Sequence, residues 1–327
     1  KKLKSKSGIM ITGSHNPKNY NGFKIVINDL PVSGIEILQL TSSEFACSES
    51  LGREIIKSDI ADEYINEVLS QAGKSSQKMK IVVDCGNGSA GKVAPELMRK
   101  LGHEVVELFC EIDGNFPNHH PDPGKIANLQ DLIRVVKSEV ADIGIAFDGD
   151  GDRLGVVSNS GEIIYPDQLM MIFSKEVLKT NQGKEIVFDV KCTNLLAEII
   201  SEAGGTPIMS PTGHFHIKNM LKKTNAPLAG EMSGHIFFND QWYGFDDAHY
   251  SAFRLIEIIK DSRCSLDALM QDLPRAFSTP ELNLNVDESK KFKIVQDFIS
   301  KSNFGDAKKI TIDGLRVNFD DGWGLLR

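Results

Sequence analysis

The chain lacks any apolar run approaching the 18 residues that a membrane helix needs, and it lacks C-x-x-C spacing among its five cysteines, Cys47, Cys85, Cys110, Cys192 and Cys264. An odd number of scattered thiols suits neither a zinc site nor a disulfide framework, and points to a reducing cytoplasm. Basic clusters are missing beyond Lys1, Lys2, Lys4 and Lys6, which read as a solvated stretch. With 37 basic against 45 acidic residues the formal net charge is −8, which argues against a nucleic-acid or polybasic membrane role. The apolar segment after those lysines is about four residues, too short for a signal-peptide core. Gly86-Asn87-Gly88-Ser89-Ala90-Gly91 is neither a full dinucleotide fingerprint nor a Walker A motif, and reads as a structural turn. A length of 327 residues, 41% hydrophobic and 25% charged, allows substantial cores in two or more domains.

What the chain does have is Asp148-Gly149-Asp150-Gly151-Asp152-Arg153, three carboxylates two residues apart at the end of the apolar run Asp142 to Phe147. Carboxylates about 4 Å apart repel by about 4 kcal/mol at an effective dielectric of 20, so three converging side chains ask for a cation. Hard oxygen donors favour Mg²⁺, Mn²⁺ or Ca²⁺. An EF-hand is excluded: with Asp148 at position 1, the required glycine at position 6 is Arg153 and the glutamate at position 12 is Asn159. The bland alternative is a Gly/Asp-rich turn with solvated carboxylates. Near the start, Ile9-Met10-Ile11-Thr12 reads as a short strand entering Gly13-Ser14-His15-Asn16-Pro17, a tight exposed loop presenting a serine. Adjacent Ser14 and His15 do not make a Ser-His-Asp triad, and no G-x-S-x-G elbow surrounds them. On this evidence alone a surface hairpin with a polar tip competes.

Strand and helix patterns alternate as β-α-β units. A buried strand at 80–84, the glycine turn, a helix to Leu101 and a strand at 104–109 return in outline at 185–189, a helix ending near Gly204-Gly205 and a strand at 207–210, a weak repeat at about a hundred residues. Further helices are expected at 59–71, 127–140, 166–178, 246–260 and 289–301. After Leu266 strands are expected at 278–286, 309–312 and 315–319. His119-His120-Pro121-Asp122-Pro123 reads as an irregular linker, because adjacent histidines flanked by proline rarely face one ion.

Thr12-Gly13-Ser14-His15-Asn16-Pro17, the Asp148–Arg153 loop and Gly230-Glu231-Met232-Ser233-Gly234-His235 together resemble the α-D-phosphohexomutases, specifically the phosphomannomutase/phosphoglucomutase branch. The likeness extends through Asp189–Thr193 and Thr212-Gly213-His214. It implies that Ser14 carries the phosphoryl group, that Asp148, Asp150 and Asp152 bind Mg²⁺ with Ser14 supplying a further oxygen, and that Glu231 and Ser233 contact sugar hydroxyls. His15, Lys24 and Arg153 join the catalytic set; Lys191, His214, His235 and Arg327 join the substrate set. The implied reaction interconverts hexose 6-phosphate and hexose 1-phosphate, of mannose and/or glucose, through a hexose 1,6-bisphosphate that turns around in the site. The expected fold is α/β and multi-domain, with repeated β-α-β units, mixed sheets and a smaller α+β C-terminal domain. Expected divisions are 1–55 (tail of a first α/β domain), 56–155, 156–262 and 263–327 (part of a C-terminal phosphate-binding domain). Compared with the family pattern the chain reads as a fragment. A catalytically impaired fragment or non-catalytic sugar-phosphate binding protein, and a Mg²⁺-dependent phosphatase or phosphotransferase, therefore stand beside the mutase. Small-molecule hexose phosphates are the expected partners, without nucleic acid or membrane, for a cytoplasmic monomer or weak homo-oligomer.

Overall fold

The computed structural model describes residues 5–28, 30–41, 59–73, 77–279, 281–287 and 289–327. It opens with a three-stranded antiparallel sheet, β1 (Gly8–Ile11), β2 (Phe23–Ile27) and β3 (Leu30–Pro31), followed by α1 (Gly34–Thr41). The β1–β2 register pairs Gly8 with Val26 and Ile11 with Phe23, so Ser14 lies in the loop between them and Lys24 on the returning strand.

The next two units share one plan. The first runs α2 (Ala61–Leu69), β4 (Lys80–Asp84), α3 (Ala94–Lys100), β5 (Glu104–Leu108), α4 (Gln130–Ser138), β6 (Ile143–Phe147), β7 (Leu154–Ser158) and β8 (Ile163–Ile164). The second runs α5 (Pro166–Leu178), β9 (Glu185–Asp189), α6 (Asn194–Glu202), β10 (Thr206–Ser210), α7 (His214–Thr224), β11 (Leu228–Gly230), β12 (Ile236–Phe238), α8 (Ala248–Ser262) and α9 (Leu266–Gln271). Sheet orders are β5-β4-β6-β7-β8 and β10-β9-β11-β12. In each, two strands lie parallel on either side of the unit's first strand, and the last hairpin reverses to antiparallel. The repeat read in the sequence is thus a repeat of topology. It also makes the turn from β6 to β7, which holds the aspartates, the counterpart of the turn from β11 to β12, which holds Glu231 and His235.

Central strands are buried on both faces, as the apolar runs demand: Ile81, Val82, Val83, Ile143, Ile145, Ile186 and Val187 are fully buried. One apolar cluster runs from Ile65 through Phe147 and Phe173 to Leu273 and so crosses both units. Polar ties reinforce it, with the Tyr64 hydroxyl donating to Asp247 at 2.9 Å and Ser160 Oγ to Asp267 at 3.1 Å. Among the described residues no helix is long and apolar enough to cross a membrane.

The C-terminal part holds α10 (Lys291–Lys301) and the antiparallel sheet β13 (Lys308–Ile310), β14 (Leu315–Asn318) and β15 (Trp323–Leu326). The strand expected at 278–286 is a correction. Its described residues form no ladder, and Leu282 and Leu284 are about four-fifths exposed (82% and 79%), because no sheet edge lies there to bury the alternate face.

Fully buried Arg316 fastens this sheet to the rest. It donates to the carbonyl oxygens of Val190 and Cys192 and to Asn194 Oδ1 (2.6 Å), and stacks 3.8 Å from the Trp323 ring centroid. Burial lowers its pKa to about 10, which still leaves it charged at neutral pH. Arg316→Ala strands several buried acceptors at about 1–3 kcal/mol each. The expected result is a loss of about 3 kcal/mol of protection in β14, read by hydrogen exchange, with little change in β4 or β6.

Candidate functional site

Asp148 leaves the end of β6 fully buried and turns back on its own loop. Its Oδ1 accepts from the backbone N–H groups of Gly151 (3.1 Å), Asp152 (3.0 Å) and Arg153 (3.1 Å), and its Oδ2 from Arg153 Nε at 3.1 Å. This closes the Gly-rich turn and brings oxygens of Asp148, Asp150 and Asp152 within 4.8 Å of one another. Asp150 Oδ1 is buried without a hydrogen-bond partner. An all-carboxylate, oxygen-only set with an orphaned oxygen fits a hard divalent cation.

The charges show how the cluster copes alone. Burial, followed by the charges of Asp152 and Asp150, pushes Asp148 up to about 7. Asp152 goes the other way: burial opposes its charge, but His235 and Lys24 hold it well below the usual carboxylate range. Lys24 Nζ lies 2.9 Å from Asp150 Oδ2 and 2.5 Å from Asp152 Oδ2. Those two carboxylates outweigh the burial of the ammonium and raise its pKa. One ammonium and one readily held proton thus sit where a dication would satisfy all three carboxylates.

The serine loop docks onto this cluster. Ser14 adopts a left-handed backbone (φ 47°), its N–H donates to Thr12 Oγ1 at 2.8 Å, and its Oγ lies 3.1 Å from both Asp148 Oδ2 and His15 Nδ1. Thr12 Oγ1 in turn donates to Asp150 Oδ2 at 2.9 Å. A β-carbon at Gly149 would come 2.2 Å from the Ser14 carbonyl oxygen, so only glycine lets the two loops meet. Burial and the nearby Arg153 charge lower the His15 pKa, keeping its imidazole neutral at pH 7.

The third loop arrives from the following unit. Arg153 and His235 form an antiparallel bridge, and Leu154 N–H donates to the Gly234 carbonyl at 3.1 Å. His235 sits 3.3 Å from Asp152 Oδ1 and 3.2 Å from Glu231 Oε2, and accepts or donates with Ser233 Oγ at 2.8 Å. Burial opposes its protonation, but those two carboxylates raise its pKa to about 10. Glu231 also accepts from the Gly213 N–H beside His214, whose ring centroid is 6.3 Å from that of His235. Burial, then Lys218, lowers the His214 pKa.

Ser14, His15, Lys24, Arg153, Glu231, Ser233, His235 and His214 are therefore brought together around the three aspartates. Lys191 and Arg327 stand apart from them. Lys191 pairs with Glu281 at 2.6 Å; Arg327 pairs with Asp313 at 3.1 Å, the same carboxylate oxygen that accepts from Thr212 N–H at 3.0 Å. Sequence reasoning gave no role to Thr12, which it quoted as part of the serine motif, and none to Asp122, whose Oδ1 takes Arg153 Nη1 at 3.2 Å.

His119 and His120 do not share an ion. His119 Nε2 meets both oxygens of Asp84 at 3.1 and 3.0 Å. Burial disfavours its charge, yet the Asp84 bonds raise its pKa above 6.5. A raised folded pKa contributes stability that is complete below the unfolded value of about 6.5 and is lost as pH rises through the folded pKa. The contribution of His119 to stability should therefore fall from pH 6 upward, with a slope of at most about 1.4 kcal/mol per pH unit, and comparison of the unaltered chain with His119→Gln should isolate that component.

Family models for phosphoglucomutase/phosphomannomutase match the chain in three places: alpha/beta/alpha domain I at 1–41, domain II at 62–161 and domain III at 165–277. The chain is 51% identical over 327 residues to a phosphomannomutase/phosphoglucomutase of Pseudomonas syringae pv. tomato, covering 99% of this chain and 70% of that protein. It is 49% identical to a phosphoglucomutase of Neisseria meningitidis serogroup A, covering 98% and 70%. A crystal structure of a phosphoglucomutase/phosphomannomutase family protein from Burkholderia thailandensis superposes with a TM-score of 0.91 at 48% identity, over 98% of this chain and 69% of that one. With matched models on all three loop-bearing units and half of its residues shared with such relatives, this chain belongs to the phosphoglucomutase/phosphomannomutase family.

Proposed function

We propose that the three loops form the phosphoryl-transfer site of a phosphohexomutase that interconverts hexose 6-phosphate and hexose 1-phosphate, of mannose and/or glucose. The observation that carries the site reading is Ser14 Oγ held 3.1 Å from Asp148 Oδ2, across 134 positions of sequence. Ser14 is the phosphoryl carrier. A sugar hydroxyl attacks the phosphorus in line: the bond to Ser14 Oγ breaks, the oxygen–phosphorus bond to the sugar forms, and the proton the hydroxyl loses is balanced by one taken up at Ser14 Oγ. The resulting hexose 1,6-bisphosphate turns over and returns its other phosphoryl group to Ser14 Oγ. On that return the neutral imidazole of His15, 3.1 Å from Oγ, accepts the serine proton, and the sugar oxygen that parts from phosphorus leaves as a protonated hydroxyl.

Asp148, Asp150 and Asp152 are proposed to hold Mg²⁺, with Ser14 adding an oxygen; when bound, the ion would neutralise phosphate charge and polarise phosphorus. Lys24 and Arg153 supply fixed cations beside the transferring group. Glu231, Ser233, His235 and His214 face the sugar, while Lys191 and Arg327 grip the phosphate that is not reacting. We further propose a four-part division that keeps the expected joins after 55 and 155 but moves the last one from 262 to after Leu273, because Leu266, Met270 and Leu273 are buried in the shared core. A cytoplasmic location and a monomer or weak homo-oligomer are proposed on the same footing.

Phosphorus NMR of glucose 1-phosphate or mannose 1-phosphate incubated with Mg²⁺ and a trace of the bisphosphate tests the reaction. Growth of the 6-phosphate signal is expected. Release of inorganic phosphate faster than isomer formation would favour a phosphatase instead.

A further inference from the structure

The segment Asn118–Pro123, which the sequence offers only as an irregular linker, touches the serine loop, the aspartate loop and the turn after β4. His119 grips Asp84, Asp122 takes Arg153, and Pro121 packs where β-carbons at Gly86 (3.1 Å) or Gly149 (3.5 Å) would meet it. Pro121, Asp122 and Pro123 are buried. From this clasp the His120 imidazole, edge-on to Phe116 with ring centroids 6.4 Å apart, reaches across 105 positions to the carbonyl oxygen of His15 through Nε2.

The other polar side-chain ties between residues 5–28 and the metal loop all end on carboxylates: Ser14 on Asp148, Thr12 on Asp150, and Lys24 on Asp150 and Asp152. A dication drawn in by those three carboxylates competes directly for the oxygens that hold the serine loop. Thr12 and Lys24 give way to a doubly charged ion, because each carboxylate interacts more strongly with it at similar distance, and Ser14 exchanges its bond to Asp148 for a place on the ion, which fixes one side-chain oxygen and leaves the loop's backbone to be held. The bond from His120 ends on a backbone carbonyl and does not compete. We propose that His120 is the positioning residue that keeps the phosphoserine loop in register over the metal loop once the carboxylates are committed to the cation. The proposal rests on the mutase reading only for its catalytic consequence; the positional claim stands on the geometry.

Three variants separate the donor from the ring. His120→Phe keeps the bulk against Phe116 and removes the donor; His120→Gln sets an amide N–H near the place of Nε2; His120→Ala removes both. With Mg²⁺ present, His120→Phe and His120→Ala should speed hydrogen exchange at the amides of 12–16 by about 10-fold or more. His120→Gln should stay within about 3-fold of the unaltered chain, and Mg²⁺ affinity, carried mainly by the three aspartates, should fall by no more than about 3-fold in any of the three. Phosphoryl uptake by Ser14 from a hexose 1,6-bisphosphate should slow by about 10- to 100-fold in the first two variants and recover in His120→Gln, since a misplacement of about 1 Å can cost that much. Equal exchange and equal uptake rates in the Phe and Gln variants would overturn the proposal, as would a matching loss of Mg²⁺ affinity. If the unaltered chain takes up no phosphoryl group at all, the mutase reading fails and the exchange experiment still decides the role of His120.

Discussion

Ser14→Ala is expected to abolish phosphoryl uptake from a hexose 1,6-bisphosphate, read as intact mass, and to lower 1-phosphate/6-phosphate interconversion by on the order of 10⁴-fold or more. The loss is that large because no neighbour can stand in. His15 and Lys24 offer nitrogens, but His15 Nδ1 is turned onto Ser14 Oγ itself and Lys24 Nζ is spanned by two carboxylates. Divalent-cation binding should survive, since Asp148, Asp150 and Asp152 are untouched. Ser14→Gly sharpens the test. Serine in the left-handed region costs about 1–2 kcal/mol that glycine does not, so this variant should be equally inactive yet slightly more stable. Strain at φ 47° would then be the cost of presenting the hydroxyl over the aspartates. Uptake of a phosphoryl group by the alanine variant, or undiminished interconversion, would remove Ser14 from the mechanism.

Chelation should produce the second large effect, a fall in turnover of about 10³-fold or more that Mg²⁺ restores, because the transferring phosphoryl group would otherwise face three carboxylates. Stability gives an independent reading. Mg²⁺ at about 100 times its Kd should add about 2.7 kcal/mol to the folded state. Asp150→Asn isolates the cluster from the loop scaffold better than a change at Asp148, which also accepts three backbone N–H groups. Removing one of three mutually repelling charges should leave the cation-free variant at least as stable as the unaltered chain, while Mg²⁺ stabilises it far less. A variant that gains as much from Mg²⁺ as the unaltered chain would show that the ion binds elsewhere.

The parts of this molecule that could be read from the sequence are those whose signal is local. Helix α5 was expected at 166–178 and runs Pro166–Leu178, because proline at its first turn and an apolar pattern mark it within its own residues. Strands β4, β6 and β9 are buried runs with turn residues behind them. The two-residue β8 and three-residue β11 and β12 are too short to show a period, and the tract at 278–286 carried strand-forming residues with no sheet to join. The site divides in the same way. Ser14, the aspartates and Glu231–His235 lie in contiguous motifs, and their residue types announce charge and nucleophile. Asp122, His120 and Arg316 act on partners 31, 105 and more than 120 positions away. His120 and Arg316 moreover end on backbone carbonyls, which every residue possesses, so no pairing of side-chain types betrays them.

The continuous core from Ile65 to Leu273, together with the bridge between Arg153 and His235, has a consequence for the turnover proposed for the bisphosphate. Two turns knitted by backbone hydrogen bonds cannot part without breaking a sheet-like contact and exposing fully buried side chains such as Phe147 and Phe188. The aspartate turn and the Glu231 turn accordingly travel as one rigid floor. An opening wide enough for a sugar to rotate would have to come from the flanking pieces, the serine hairpin on one side and the sheet fastened by Arg316 on the other.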